Sequence, residues 1–336
     1  MKPFQLLVIF SASPILYARA EVWPAGTPPT PFDTLNGNPF QVLLGPPSWY
    51  TSGLASDARG EFSLQHSLSN SRRENEAGTE IAAFDSETGV TTFSARIKLP
   101  GALESYLNIP WITQSAGQLD SMIYNWHEWF GLPQGKRTRD TNDQFQLRYW
   151  EDEQSILAST EPSRALGDTR LGLVLPLDGS GFNGVVQSEL RLPTGSAEEL
   201  SGTGALGVSL GLGAHTSNDW LGSGALWYGG LGLSWNELGD TPLAYRQKSF
   251  MVSGRGGAQW QWFPACLFKI QLDSNSPAYD SDLKELGGVP LQLTAGLTFG
   301  LAENWWGDFT VTEDLNPGAS SDFTTAFRVK YLWNRN

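Results

Sequence analysis

Phe323-Thr324-Thr325-Ala326-Phe327-Arg328-Val329-Lys330-Tyr331-Leu332-Trp333 is the stretch that decides the fold. Phe323, Thr325, Phe327, Val329, Tyr331 and Trp333 share one parity, and Thr324, Ala326, Arg328 and Lys330 share the other. Successive side chains of a strand point to opposite faces, so this alternation describes a β-strand between an apolar and a polar environment. Residues 182–192 repeat it, with Val186, Leu190 and Leu192 against Gln187, Glu189 and Arg191. Residues 291–299 set Leu291, Leu293, Ala295, Leu297 and Phe299 against Gln292 and Thr294, and residues 206–212 alternate Leu206, Val208, Leu210 and Leu212 with Gly and Ser.

A soluble sandwich would press the apolar rows against a second sheet. A membrane barrel would turn them to lipid and keep the polar rows inside. The connections discriminate. Twelve main strands are expected at 59–70, 79–99, 103–112, 165–177, 182–192, 204–213, 220–234, 249–262, 267–273, 289–299, 305–313 and 323–333. Connections 71–78, 113–164, 193–203, 235–248, 274–288 and 314–322 are generally long, whereas 100–102, 178–181, 214–219, 263–266 and 300–304 are short. Alternating long loops and short turns are the mark of an outer-membrane barrel, and a sandwich has no reason to sort its loops this way. Trp220, Trp260, Trp262, Trp305, Tyr331 and Trp333 fall at the short-turn ends, as expected of rings that prefer a membrane interface. The expectation is an all-β, antiparallel transmembrane barrel of about 12 strands, with ten or fourteen as alternatives.

Composition agrees. The 336 residues contain 22 Lys+Arg and 35 Asp+Glu, for a net charge of −13, so a broad basic footprint for nucleic acid is not expected. A single Cys and three scattered His (His66, His127, His215) make neither a disulfide framework nor a metal-ligand spacing. No cofactor is expected. No apolar run beyond residue 20 approaches the roughly 18 residues of a membrane helix.

Residues 1–20, MKPFQLLVIFSASPILYARA, read as a cleaved secretory signal peptide: Lys2, an apolar run from Leu6 to Phe10, and the small-x-small site Ala18-Arg19-Ala20. Cleavage takes Lys+Arg from 22 to 20 against 35 acids, a net of −15. Residues 21–58 then hold Pro24, Pro28, Pro29, Pro31, Pro39, Pro46 and Pro47, too many for a regular helix or a central strand. This is a periplasmic N-terminal arm before the barrel of 59–333. It is either a floppy linker or an ordered segment plugging the lumen, and Trp23, Phe32, Phe40, Trp49 and Tyr50 are more aromatic than a linker requires.

If the apolar rows meet lipid, the opposite parity lines the lumen with Arg96, Lys98, Glu104, Asp168, Arg170, Glu189, Arg191, Arg255, Lys269, Asp273, Asp308, Arg328 and Lys330, together with Tyr106 and Asn108. Those are eight bases and five acids, a mildly basic interior in an acidic chain. Arg–carboxylate pairs could fill and close a narrow lumen, or the surplus bases could line a path that favours anions.

Residues 113–164 form the one outsized connection. Leu119, Met122, Ile123, Trp126 and Phe130 recur at helical spacing, ended by Gly131-Leu132-Pro133, which predicts one short amphipathic helix in an extracellular loop. Residues 143–158 read as a small hairpin. For a lipid hydrolase, His66 shares the parity of Phe62, Leu64 and Leu68, opposite to Ser67 and Ser69, so a same-strand dyad is geometrically poor and a Ser from a neighbouring strand stays open; His127, on the loop helix, has no evident nucleophile beside it. Tyr279-Asp280-Ser281-Asp282 has alternating acids without a full calcium-loop pattern and reads as a solvated turn. No catalytic or metal residue is assigned.

Asn38-Pro39-Phe40, Tyr124–Pro133, Gly167-Asp168, Leu192-Pro193-Thr194-Gly195 with Leu200–Gly204, Tyr279–Leu283 and Glu313-Asp314-Leu315 occur in an order and spacing that resembles an uncharacterised proteobacterial outer-membrane family, a domain of unknown function. The resemblance implies an exported outer-membrane barrel and no catalytic residue or ligand. The partners expected are outer-membrane lipid and lipopolysaccharide, the barrel-assembly machinery and a small solute. The leading functional expectation is a narrow porin-like or transport channel, with the arm or the 113–164 loop as plug or lid. A closed structural or surface-interaction barrel is the alternative, and a lipid-active enzyme comes third.

Overall fold

The computed structural model describes residues 30–334 except 118, 120–124, 126–127, 130, 132–144, 179–181, 217–224 and 264. The signal-peptide expectation for 1–20 lies outside these residues, as does most of the expected loop helix; of its described members Asn125, Glu128 and Trp129 are helical and Leu119 is not.

Twelve antiparallel strands close into a barrel. In chain order they are β1 (Ala58–Ala77), β2 (Glu80–Lys98), β3 (Glu104–Ser115), β7 (Thr169–Asp178), β8 (Phe182–Leu192), β9 (Gly207–Thr216), β10 (Ala225–Asn236), β11 (Phe250–Phe263), β12 (Cys266–Asn275), β13 (Leu291–Ala302), β14 (Trp305–Asp314) and β15 (Phe323–Asn334). Three more strands, β4 (Gln146–Glu151), β5 (Gln154–Ser159) and β6 (Ser163–Leu166), belong to the long connection between β3 and β7. Closure comes from β15 pairing with β1, for example Phe327 opposite His66 and Lys330 opposite Ser63. A closed ring leaves no strand edge with unpaired backbone groups, which a hydrocarbon environment demands.

The parity read from the sequence is the parity of the wall. Leu171, Leu173, Leu175 and Leu177 on β7, Leu210 and Leu212 on β9, and Leu231 and Leu233 on β10 are exposed on the outside. Gln187, Glu189, Arg191, Arg255, Lys269 and Gln271, on the other parity, are buried inside. No second sheet covers the apolar rows among the described residues; the fold is a transmembrane barrel and not a sandwich. At the short-turn end Trp305 packs against Tyr331 with ring centres 4.8 Å apart and the planes tilted by 37°, and Trp262 lies against Phe263 and Phe268. Trp220 lies outside the described residues.

One connection differs from expectation. Residues 71–78 are not a loop: β1 runs on to Ala77 and turns at Gly78 and Thr79 into β2. Its 20 residues span about 65 Å along the strand, against an apolar band of roughly 25 Å, so the β1–β2 hairpin projects far beyond the membrane zone. The polar run Ser71-Arg72-Arg73-Glu74-Asn75-Glu76 suits a strand in water and was indistinguishable from loop by composition. The projecting hairpin then templates the 113–164 segment: β4 pairs with Glu80–Asp85 of β2, β5 pairs with β4, and β6 pairs with the end of β3. The expected hairpin at 143–158 is β4–β5.

Candidate functional site

The barrel interior is occupied by the arm. From Thr30 it rises from the short-turn half of the lumen and makes a 3-10 turn at Gln41–Leu44 near the long-loop mouth. It then descends to enter β1 at Ala58. Residues 30–56 run along the inner wall and contact it throughout their length.

Each limb is held by the polar wall. Gln271 grips Phe32 as a paired strand would, accepting from its N–H at 2.9 Å and donating to its carbonyl at 3.2 Å. Gln187 accepts from the Tyr50 N–H at 3.1 Å and donates to the Ser48 carbonyl. Glu189 accepts from the Ser48 N–H at 3.1 Å, and Glu104 from the Leu54 N–H at 2.8 Å. Gln65 donates to the Asp33 carbonyl at 2.8 Å, and His215 meets the Thr51 carbonyl at 2.8 Å.

The bases follow the arm's carbonyls in order. Lys269 donates to Thr30 at 2.8 Å, Arg328 to Pro31 at 3.4 Å and Arg255 to Phe32 at 2.8 Å. Arg191 donates to Leu43, Arg170 to Gly45 and Pro46 at 3.2 and 2.7 Å, Arg96 to Ser52 at 2.8 Å, and Lys98 to Ala55 and Ser56 at 2.6 and 3.1 Å. This arrangement answers a supply problem. Pro31, Pro39, Pro46 and Pro47 have no N–H, and the extended arm makes few backbone bonds of its own, so it enters the lumen with surplus acceptors. Buried carbonyls need donors, and cationic donors give the stronger bonds.

The same arginines hold the wall together. Arg96 pairs with Glu104, Arg170 with Glu189 at 3.0 Å, Arg191 with Asp168 at 3.7 Å, Arg255 with Asp273, and Arg328 with Asp308 at 2.7 Å. Lys330 shares Asp308 at 3.4 Å. All thirteen charged residues singled out from the sequence therefore lie on the inner wall or at its rim. Glu61, on the inward parity of β1 with Ser63 and Gln65, is a further wall acid that the sequence reading omitted. The inward Gln and Asn side chains were also passed over, because charge was the signal sought.

Shape complements charge. Trp49, buried, lies over Gly230 and Gly232 of β10 and 5.7 Å from the Arg255 guanidinium. The Arg96 guanidinium sits 4.0 Å above the Tyr50 ring, a cation–π contact. At Gly213 an added Cβ would stand 2.0 Å from the Tyr50 carbonyl oxygen, so β9 has no room for a side chain where the arm passes. The void left between the limbs and β1, β2, β3 and β7 is about 100 Å³, lined in part by Asp33, Ser48, Gln65, Asn108 and Arg170. It has space for several waters and no more.

At the long-loop end the arm tip enters an apolar core. Phe40, Leu43 and Leu44 pack with Phe84 and Ala82 of the β1–β2 hairpin, Leu147 and Tyr149 of β4, and Tyr279, Leu283 and Leu286 of the 276–290 loop. Asn38 caps the tip turn by accepting from the Phe40 N–H at 3.0 Å. Tyr279 is buried and donates to the Phe40 carbonyl at 3.3 Å, while Ser281 and the Asp282 N–H donate to Glu80. The 279–282 segment is thus not the solvated turn expected: its backbone and Ser281 are bonded to the hairpin, although Asp280 and Asp282 are exposed and Asp280 faces Lys248 at 3.7 Å. Outside the barrel, His66 is exposed and bonds Thr91 at 2.9 Å. Among the described residues no cluster of His, Cys, Asp and Glu could hold a metal ion.

The sequence matches, over residues 7–333, a family described as protein of unknown function (DUF3187). The chain belongs to that family. Segments on which the resemblance rested meet in space. Asp168 accepts from the N–H groups of Gly195 and Thr203 at 3.0 and 2.9 Å, and Thr194 donates to the Gly167 carbonyl at 2.8 Å. Tyr279 meets Phe40 as above. No curated protein matches the chain. Among solved structures, the COG4313 outer membrane channel from Pseudomonas putida F1 is similar at 11% identity and a TM-score of 0.52, over 83% of this chain and 97% of that one. The NanC porin aligns at 6% identity and a TM-score of 0.45, over 82% and 100% of the two chains. The Ralstonia pickettii toluene transporter TbuX aligns at 10% and 0.42, over 92% and 96%. The likeness to the first is one of fold, the closed antiparallel barrel.

Proposed function

We propose that this chain is a porin-like channel of the bacterial outer membrane, exported by the signal peptide of residues 1–20 and carrying small solutes. Arm 30–56 is its plug. One observation carries the reading: the lumen is closed by a separable peptide segment and not by the wall's own side chains. Withdrawal of the arm would free the wall side chains it now occupies, from Lys269 and His215 to Arg170 and Arg191. The exposed apolar rows and the aromatic girdle support the membrane location and contact with lipid and lipopolysaccharide. The amphipathic strand β15, with Trp333 followed by Asn334-Arg335-Asn336, is similar to a barrel-assembly signal but for that three-residue tail. His66, bonded to Thr91 on the outer face, gives no support to a hydrolase, and the reading is of a non-enzyme.

The apolar core around the arm tip favours a second reading, a barrel held shut as a structural or surface element. Planar-bilayer recording of the refolded full chain separates the two. Ser48 and Asn108 touch at 2.6 Å across the arm–wall boundary. Ser48→Cys with Asn108→Cys in a Cys266→Ser background, bridged by a short bis-thiol reagent, fixes the arm. Channel events before bridging that vanish after it are the expected result. Silence before bridging, and again after deletion of 21–56 and the long loop, would leave the structural reading standing.

A further inference from the structure

We propose that the passage beneath the arm is selective for anions, with the arm acting as the resident competitor of an anionic solute. The inference rests on the channel reading above and adds the class of solute.

The charges of the wall do not cancel. Five arginines are matched by five acids: Arg96–Glu104, Arg170–Glu189, Arg191–Asp168, Arg255–Asp273 and Arg328–Asp308. Lys98, Lys269 and Lys330 remain, and none has a carboxylate of its own among the described residues. Lys98 binds only the Ala55 and Ser56 carbonyls, and Lys269 binds Thr30. Lys330 borrows Asp308 from Arg328. Glu61 is the counterweight on the wall, which leaves a surplus of two positive charges. All three lysines belong to the short-turn half of the lumen, so the surplus is concentrated there and not spread along the barrel.

The arm is the complement of that surplus. From Thr30 to Ser56 it contains no Lys or Arg and one acid, Asp33. What it offers the wall is a row of carbonyl oxygens, and the cations take them. Lys269 is completely buried, hydrogen-bonded among the described residues only to Thr30 and 5.0 Å from the Phe32 ring, and the acid that bears on its charge, Asp308, is already shared by Arg328 and Lys330. A buried ammonium is stabilised better by a full negative charge than by a carbonyl dipole. An anionic solute entering from the short-turn mouth therefore meets Lys98 and Lys269, which the arm fills only with neutral oxygens, and Lys330, which has only a share of Asp308. A cation meets the same three charges as a barrier. In a narrow pore, charged side chains at the constriction set which ion passes.

The test uses the full chain with Trp49→Ala and Gly213→Ala, two changes that loosen the descending limb and alter no charge. In a bilayer with a potassium chloride gradient, the reversal potential should show chloride favoured several-fold over potassium. Lys98→Gln, Lys269→Gln and Lys330→Gln together should abolish that preference. Open channels that prefer potassium, or a preference indifferent to the three lysines, would overturn the proposal and leave the channel reading intact. Silence in every background would remove both. As a second measurement, citrate should accelerate thiol labelling of Ser48→Cys in otherwise native, Cys266→Ser protein, more than chloride of equal ionic strength. Equal rates would count against competition between solute and arm.

Discussion

Gly213→Ala adds one methyl group to the inner face of β9, and its effect can be worked from three distances. The new Cβ would lie 2.0 Å from the Tyr50 oxygen, 3.1 Å from the Tyr50 carbonyl carbon and 3.3 Å from the Thr51 Cα. All three atoms belong to the arm and none to the barrel. Side-chain carbons essentially never approach other atoms closer than 3.0 Å, so the arm must retreat by about 1 Å at residues 50–51. Three bonds span that point: Tyr50 N–H to Gln187 at 3.1 Å, His215 to the Thr51 carbonyl at 2.8 Å, and Arg96 to the Ser52 carbonyl at 2.8 Å. Two neutral bonds at about 1 kcal/mol and one charged bond at about 2 kcal/mol give an upper value of about 4 kcal/mol. Some bonding is recovered by sliding, so about 3 kcal/mol is expected, which raises the undocked fraction of the arm by about 100-fold. Ser48→Cys, placed between the arm and Asn108 in a Cys266→Ser background, reports undocking through its rate of modification by a charged maleimide. Gly256→Ala is the control, because nothing lies within 4 Å of its added Cβ. Labelling that rises equally in both variants, or in neither, would refute the picture of a close-fitting arm held by this strand.

Asp168→Ala removes the acceptor of the Gly195 and Thr203 N–H groups and leaves Arg191 buried. A loss of about 3–5 kcal/mol, read as a lower urea midpoint with early proteolysis in 193–206, is expected; an unchanged midpoint contradicts the role given to this carboxylate. Leu212→Arg puts a charge on an outer face that is 58% exposed, at mid-strand. It should cost about 2–4 kcal/mol in lipid and nothing comparable if that face met water. Arg246 binds Glu151 on the β4–β5 hairpin, and with a second bond from Tyr245 holds the Glu151 carboxyl below its ordinary value. A carboxyl with a depressed folded value stabilises fully above the ordinary range of about 4.3 and loses that contribution as pH falls through the folded value. Protease nicking of 146–159 should therefore increase only in acid, and Glu151→Gln should remove the pH dependence.

Strand parity was legible because it is a one-residue property: each side chain meets either lipid or the lumen, and Leu210, Leu212, Arg328 and Lys330 declare which. Barrel closure and strand number followed from loop lengths. The β1–β2 projection was not legible, because Ser71–Glu76 is polar at every position, one row bonded to the loops around the arm tip, and parity then has no contrast. The arm's position was half-written in its prolines. They excluded a strand, but whether the segment was docked depended on the Gln187, Gln271 and Gly213 positions, far away in sequence and without charge. Glu61 was missed for a local reason: Arg59 and Gly60, at the irregular start of β1, blur the alternation just before it.

The groups that hold the arm come from β1, β2, β3, β7, β8, β9, β11, β12, β13 and β15. They surround a common space only after β15 has joined β1. The first described segment of the chain is thus the last to find its partners, and assembly runs in the reverse of chain order for this one piece. Both limbs lead to the same mouth of the barrel, so the segment can slip into a finished ring as a doubled loop, without drawing a free end through it.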